Sequence, residues 1–255
     1  MAKRSDYIAV FDSGVGGISV LRQLRKVLPK ERYLYFGDSA NAPYGVRPVG
    51  EIQKLTLAAA KKLVAQGVKA FVIACNTATS AAYEALVEKY PDLIVVGIEP
   101  ALALAAQQFP GGTIGALATP ATLKGERFLK KKAQYDSICQ VIPLPAPGLM
   151  DLVEAGKYDS AEADALLHTF LDPYVGKLDA LLLGCTHYPI VEKAIKRVMG
   201  EDIVLLDGAV VTAAQTRTAL EQAGLLYDGP SELVIQNSLT DERMLKLSWQ
   251  LAGLK

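Results

Sequence analysis

The chain has little of what builds most metal and disulfide scaffolds. Its 255 residues include three cysteines and two histidines. Three cysteines in a chain this long are no disulfide framework. The one Cys-x-His pair, Cys185 and His187, offers too few ligands for zinc, and no second Cys/His cluster follows, so no metal is expected. An excess of one charge is also missing: 27 Lys and Arg match 27 Asp and Glu. With no block of like charges, nothing points to nucleic acid or an anionic membrane as partner. Long apolar runs are absent too. The opening Met1-Ala2-Lys3-Arg4-Ser5-Asp6 leads into a short apolar stretch backed by a glycine-rich turn, which is neither a signal peptide nor a membrane span. The expected compartment is the reducing cytoplasm, where thiols stay free for chemistry.

What remains is an ordinary globular balance, 51% hydrophobic and 21% charged, enough for one large or two modest domains. Short apolar runs near 7–11, 33–36, 70–74, 94–97, 113–117, 138–142, 179–184, 203–206 and 232–236 read as strands. Helical patterns lie near 17–28, 51–66, 78–89, 100–108, 121–133, 161–172, 190–199, 210–224 and 240–252. This alternation predicts α/β architecture, with mainly parallel sheets flanked by helices on both faces. The halves look alike. Ala70-Phe71-Val72-Ile73-Ala74 ends at Cys75-Asn76-Thr77, and Ala180-Leu181-Leu182-Leu183-Gly184 ends at Cys185-Thr186-His187-Tyr188-Pro189. Two similar domains related by a pseudo-twofold are expected. Ligands in such sheets bind beyond the carboxyl ends of the strands, so both cysteines should face one interdomain cleft. Pro143-Leu144-Pro145-Ala146-Pro147-Gly148 reads as a rigid loop near it.

A strand-end cysteine taken alone is most often a small buried hydrophobe. Two in matched settings, each ahead of a helix start that stabilises a thiolate, point instead to two-base proton transfer. Cys139, inside Ser137-Ile138-Cys139-Gln140, reads as core filler in a strand interior. His187 can assist proton transfer or bind a carboxylate, whereas His168 reads as an exposed helix residue. Asp12-Ser13-Gly14-Val15-Gly16-Gly17 follows the first strand and reads as a carboxylate-binding turn whose amides open toward an anion, with Asp12 an auxiliary acid or ammonium contact. The rival is a dinucleotide fingerprint with Asp38 as its ribose acid, but Ser19 stands where the third glycine belongs. Pro43-Tyr44-Gly45 is either a plain turn or a ligand contact. Thr119 and Thr122 open a helix as caps, and the same hydroxyls can touch a substrate carboxylate. Glu154 is by default a solvated helix-end acid.

Together, Asp12-Ser13-Gly14, Pro43-Tyr44-Gly45, Cys75-Asn76-Thr77 and Gly184-Cys185-Thr186-His187-Tyr188-Pro189 resemble glutamate racemase, in order and spacing, over essentially the whole chain. The resemblance implies cofactor-independent interconversion of L- and D-glutamate, supplying D-glutamate for peptidoglycan, with no pyridoxal phosphate and no metal. It implies Cys75 acting on the D-enantiomer and Cys185 on the L-enantiomer. Asp12, Glu154 and His187 match auxiliary acid/base positions. Asp12-Ser13, Tyr44-Gly45, Asn76-Thr77 and Thr186-His187 match glutamate-binding pairs, and the resemblance leaves a homodimer open. The family's fold places 1–97 with 208–255 in a first domain and 98–207 in a second. Asp207-Gly208 and Pro48 depart from the common pattern, outside the catalytic set. Racemisation of aspartate, a nicotinamide oxidoreductase and a non-catalytic amino-acid-binding module are the alternatives.

Overall fold

The computed structural model describes residues 2–99 and 101–253. Nine strands alternate with eleven helices among them. In chain order these are β1 (Tyr7–Asp12), α1 (Ile18–Val27), β2 (Arg32–Gly37), α2 (Val49–Val64), β3 (Val68–Ile73), α3 (Asn76–Lys89), β4 (Ile94–Gly97) and α4 (Leu102–Gln108). There follow β5 (Thr113–Ala118), α5 (Pro120–Lys124), α6 (Glu126–Tyr135), β6 (Gln140–Pro145), α7 (Leu149–Glu154), α8 (Ala161–Leu171) and β7 (Ala180–Leu183). The chain closes with α9 (Glu192–Met199), β8 (Val204–Asp207), α10 (Ala209–Gln222), β9 (Glu232–Asn237) and α11 (Glu242–Leu251). No helix among the described residues is long and apolar enough to cross a membrane.

The chain forms two compact units, Met1–Glu99 with Ala209–Lys255, and Pro100–Gly208. The first holds a sheet of order β4-β3-β1-β2-β9 and the second a sheet of order β6-β5-β7-β8. Every pairing is parallel. The order β4-β3-β1-β2 is repeated as β8-β7-β5-β6, so the likeness of the halves extends to topology. The first sheet has one further edge strand, β9.

Burial on both faces explains the uninterrupted apolar strands. Ala9, Phe11, Leu34, Phe36, Phe71 and Ile73 pack against Ile52, Ala59, Leu63, Ala78 and Leu86 of α2 and α3. Their alternate neighbours Ile8, Val10, Tyr33, Tyr35, Ala70 and Val72 are equally buried and point the other way. There α1 packs on α10, and the Tyr33 hydroxyl donates to the carbonyls of Leu24 and Leu28 in and after α1. Ile114, Ala116, Ala180 and Leu182 form the matching core of the second unit with Leu102, Ala105 and Phe128.

Three local expectations need correction. The helix expected over 121–133 is two helices, because Gly125 is extended (φ −69°, ψ 140°) between α5 and α6. The proline-rich stretch is not all loop: β6 runs through Pro143 and Pro145, which pair with Ala116 and Ala118. β6 is an edge strand, the one place where a residue without an N–H fits a ladder. Consequently Cys139 lies just ahead of a strand, not inside one. It is still core, buried among Ile114, Phe128 and Val141, and burial pushes its thiol pKa up.

Candidate active site

In the first unit the central strands β1 and β3 end side by side. Asp12 closes β1 fully buried, and its Oδ1 accepts the Gly14 N–H at 2.9 Å. That amide is therefore turned inward to the carboxylate, not outward to an anion as the sequence suggested. Nor do these glycines serve a left-handed turn, since Gly17 is helical (φ −62°). Gly17 is needed for clearance: a Cβ there would lie 2.5 Å from Asp12 Cβ and 3.1 Å from Ala74 Cβ.

Cys75 is the N-cap of α3 and almost buried. The Ala78 N–H donates to its Sγ at 3.4 Å, and Ser13 Oγ lies at the same distance. Below it Thr79 Oγ1 donates to the carbonyls of Cys75 (2.9 Å) and Ile73 (3.2 Å), fixing the strand end to the helix start. Asn76 and Thr77, half-buried, form the first turn of α3.

Tyr44 is buried in a 3-10 turn, Tyr44–Val46, with Pro43 ahead of it and Gly45 within. Its hydroxyl donates to Asp38 Oδ2 at 2.7 Å, and Asn41 Nδ2 donates to both Asp38 oxygens. Burial first, then the Asp38 hydrogen bond and the charges of Asp38, Cys75 and Asp12, hold the phenol protonated far above its usual range. With Asp38 engaged by Asn41 and Tyr44, and Asp12 capping the turn, the features of a dinucleotide site are used internally. The Asp38, Asn41 and Tyr44 spacing of three is a turn signature that the sequence reading passed over. Pro48, one of the departures, caps α2 in an extended conformation.

The second unit ends its strands differently. A Cβ on Gly184 would meet Ala118 Cβ at 2.7 Å, so the ends of β7 and β5 touch only because this position is bare. Cys185 then enters a turn leading to the 3-10 segment Tyr188–Val191 and only afterwards to α9. The expected helix start directly behind this thiol is absent. His187 stands in its place, Nδ1 3.6 Å from Cys185 Sγ and Nε2 2.7 Å from Glu154 Oε1. The imidazole is 1% exposed and the carboxylate 15%, so Glu154 is a partnered acid at the end of α7, not the solvated one expected by default. Burial opposes a charge on His187, but the hydrogen bonds to Cys185 and Glu154 outweigh it and raise its pKa well above 6.5. Thr186 is buried beside it.

Thr119 caps α5, its Oγ1 accepting the Thr122 N–H at 3.3 Å, and the two hydroxyls lie 2.9 Å apart. They sit at the end of β5, the strand beside β7. His168 is exposed and bonded to Asp172, as an ordinary surface histidine. Tyr188, quoted within the motif but given no role by the sequence, is fully buried and donates to the Ala146 carbonyl at 3.0 Å. Among the described residues, no group of three or more His, Cys, Asp or Glu could hold a metal ion.

Each unit thus presents a thiol at the carboxyl end of a central strand, one beside a hydroxyl and a helix amide, the other beside a buried imidazole–carboxylate pair. Comparison with known proteins shows the family. The model of the Asp/Glu/hydantoin racemase family matches residues 17–216. A glutamate racemase of Clostridium novyi is 43% identical over 251 residues, covering 97% of both chains. One of Clostridium perfringens is 41% identical over 97% of this chain and 96% of its own. Among solved structures, glutamate racemase from Francisella tularensis in complex with D-glutamate superposes with a TM-score of 0.86 at 29% identity, covering 99% of this chain and 95% of that one. By family model, full-length relatives and fold alike, the chain belongs to the Asp/Glu/hydantoin racemases and, within them, to the glutamate racemases, which are isomerases.

Proposed function

We propose that this chain interconverts L- and D-glutamate by two-base proton transfer between Cys185 and Cys75, without a cofactor. The observation carrying the reading is the pair of strand-end thiols, each held in a proton-handling setting. Solved glutamate racemases of Francisella tularensis and Escherichia coli are in complex with D- and L-glutamate, respectively, which supports the substrate. In this reading the α-carbon of one bound glutamate is addressed by both thiols. The Cys185 thiolate, beside the His187 cation, removes the α-proton of L-glutamate. Cys75, hydrogen-bonded to Ser13, delivers a proton to the opposite face, and the reverse reaction exchanges the roles. Asp12 and Glu154 assist at the two ends, Glu154 by holding charge on His187.

The α-proton of an amino acid is weakly acidic, so the developing charge needs preorganised donors. The backbone amides of Tyr44-Gly45, and the amides and hydroxyls of Ser13, Asn76-Thr77, Thr119, Thr122 and Thr186, are assigned to the substrate carboxylates, with hydroxyl oxygens accepting from its ammonium group. Positioning and exclusion of water carry the remaining barrier reduction. The product D-glutamate would feed peptidoglycan synthesis in the cytoplasm, giving the enzyme a role in cell wall and cell shape.

The test is circular dichroism of purified protein with each enantiomer and no added cofactor. Racemisation from both sides is expected, with deuterium entering the α-position in D2O. Cys75→Ser and Cys185→Ser should each abolish turnover. Near-wild-type activity of either variant in both directions would end the two-base scheme. Faster turnover of aspartate than glutamate would reassign the substrate.

A further inference from the structure

Two polar bonds join the same two segments of the second unit. One is the His187–Glu154 pair. The other lies a residue further on, where the Tyr188 hydroxyl donates to the Ala146 carbonyl at 3.0 Å. Ala146 is itself fixed, because its N–H donates to the Ala118 carbonyl at 3.0 Å and its side chain is buried. From Ala146 the chain passes through Pro147 and Gly148 (φ 81°) directly into α7, whose last residue is Glu154. That helix has only six residues, held by the buried side chains of Leu149 and Val153. A helix this short has little stability of its own, so its root determines where its end falls.

We propose that Tyr188 is a positioning residue: by holding the Ala146 carbonyl it sets the root of α7 and so the point at which Glu154 meets His187. The proposal rests on the racemase reading in that His187 and Glu154 serve proton transfer there. The Tyr188 hydroxyl bonds the Ala146 carbonyl and lies within electrostatic reach of Cys185 and of Asp151 on α7. Its neighbour in sequence carries the imidazole and its bonding partner begins the segment carrying the carboxylate, so one hydroxyl ties the two halves of the pair together. The groups acting on His187 are Cys185 on its own turn and Glu154 on α7. On α9, which also packs against this turn, Glu192 and Lys193 are both exposed.

The chain has two histidines, so His187 can be followed by NMR against the exposed His168. In the wild type its protonation should persist above the ordinary histidine range near ~6.5. Tyr188→Phe keeps the buried ring and removes only the hydroxyl. It is expected to move the His187 transition down by about half a pH unit or more, as its carboxylate partner drifts. It should also lower kcat about 10- to 100-fold with little change in KM. Gly148→Ala is the second variant. Its Cβ meets nothing nearer than Leu166 Cδ2 at 3.7 Å, so it disturbs only the φ 81° backbone at the same root. It should move His187 in the same direction. If the His187 curve of whichever variants fold superimposes on the wild type, the Tyr188 bond is packing alone and the proposal is wrong, whatever happens to kcat. The NMR arm needs no turnover. A wild type that fails to racemise glutamate would sink the functional reading and leave this test standing.

Discussion

His187 sits between a thiol and a carboxylate, with almost no water to share the charge. A histidine buried alone would stay neutral; here the two partners reverse that preference. The consequence for stability has a definite sign. Because the folded chain holds this proton more tightly than the unfolded one, the contribution is fully present below about pH 6.5 and is lost as pH rises through the raised folded value. Glu154→Gln should therefore lower the urea midpoint, with a larger deficit at about pH 6 than about pH 10. Equal deficits at both would show that the pair carries no charge. Clearance at the strand ends is the other residue-scale constraint. Gly17→Ala forces a methyl into Asp12 and Ala74, and Gly184→Ala forces one into Ala118. Each should cost about 1–3 kcal/mol in denaturant unfolding, as overpacking does, and displace the neighbouring site.

Between strand and helix, Cys75 does two jobs, since the thiol offered to substrate is also the N-cap of α3. Serine is a favoured cap, so Cys75→Ser should lose activity while keeping the wild-type melting temperature. Cys75→Val, which cannot cap, should lose about 1 kcal/mol as well. A fall in melting temperature for the serine variant equal to that for valine would deny the cap its role. At this scale the sequence was a good guide where patterns are strong. The all-apolar run before Cys75 and the one before Cys185 are the buried central strands β3 and β7. It misled where one residue outweighed a pattern. Pro143 and Pro145 cut short the strand expected over 138–142, because proline rejects a strand interior yet is accepted at an edge, and edge or interior is settled by the whole sheet. α7 was read only as the helix end that carries Glu154, because six residues span fewer than two turns and repeat no pattern. The Glu154–His187 pair spans 33 residues, a separation on which periodicity is silent. Cys185 resembled Cys75 in text, yet a 3-10 turn stands behind it in place of a helix amide.

Across the whole molecule, the first unit is assembled from two stretches of chain that the second unit separates. One cluster of ties between them lies at the end of the sheet opposite Cys75. Lys69 Nζ is buried 2.5 Å from Glu31 Oε2 and donates to the carbonyls of Arg4 (2.5 Å) and Leu225 (2.9 Å), while Glu31 Oε1 accepts the Tyr227 N–H at 2.9 Å. Arg32 pairs with Glu232 on β9. Removing one member of the inner pair strands its partner in the core. Glu31→Gln should therefore cost about 3–5 kcal/mol of unfolding free energy, and the double change Glu31→Gln with Lys69→Met distinctly less than the sum of the singles. Strict additivity would show the two groups to be independent.

That interrupted assembly has a consequence in time. A ribosome releases residues in order, so strands β5 to β8 of the contiguous unit are all available before α10 and β9 exist. Until then Lys69 and Glu31 lack the 225–227 segment that completes their surroundings, and β2 has an open edge where β9 will pair. The half of the protein that is translated first is thus finished last, and the nascent chain carries an unpaired strand edge through most of its synthesis.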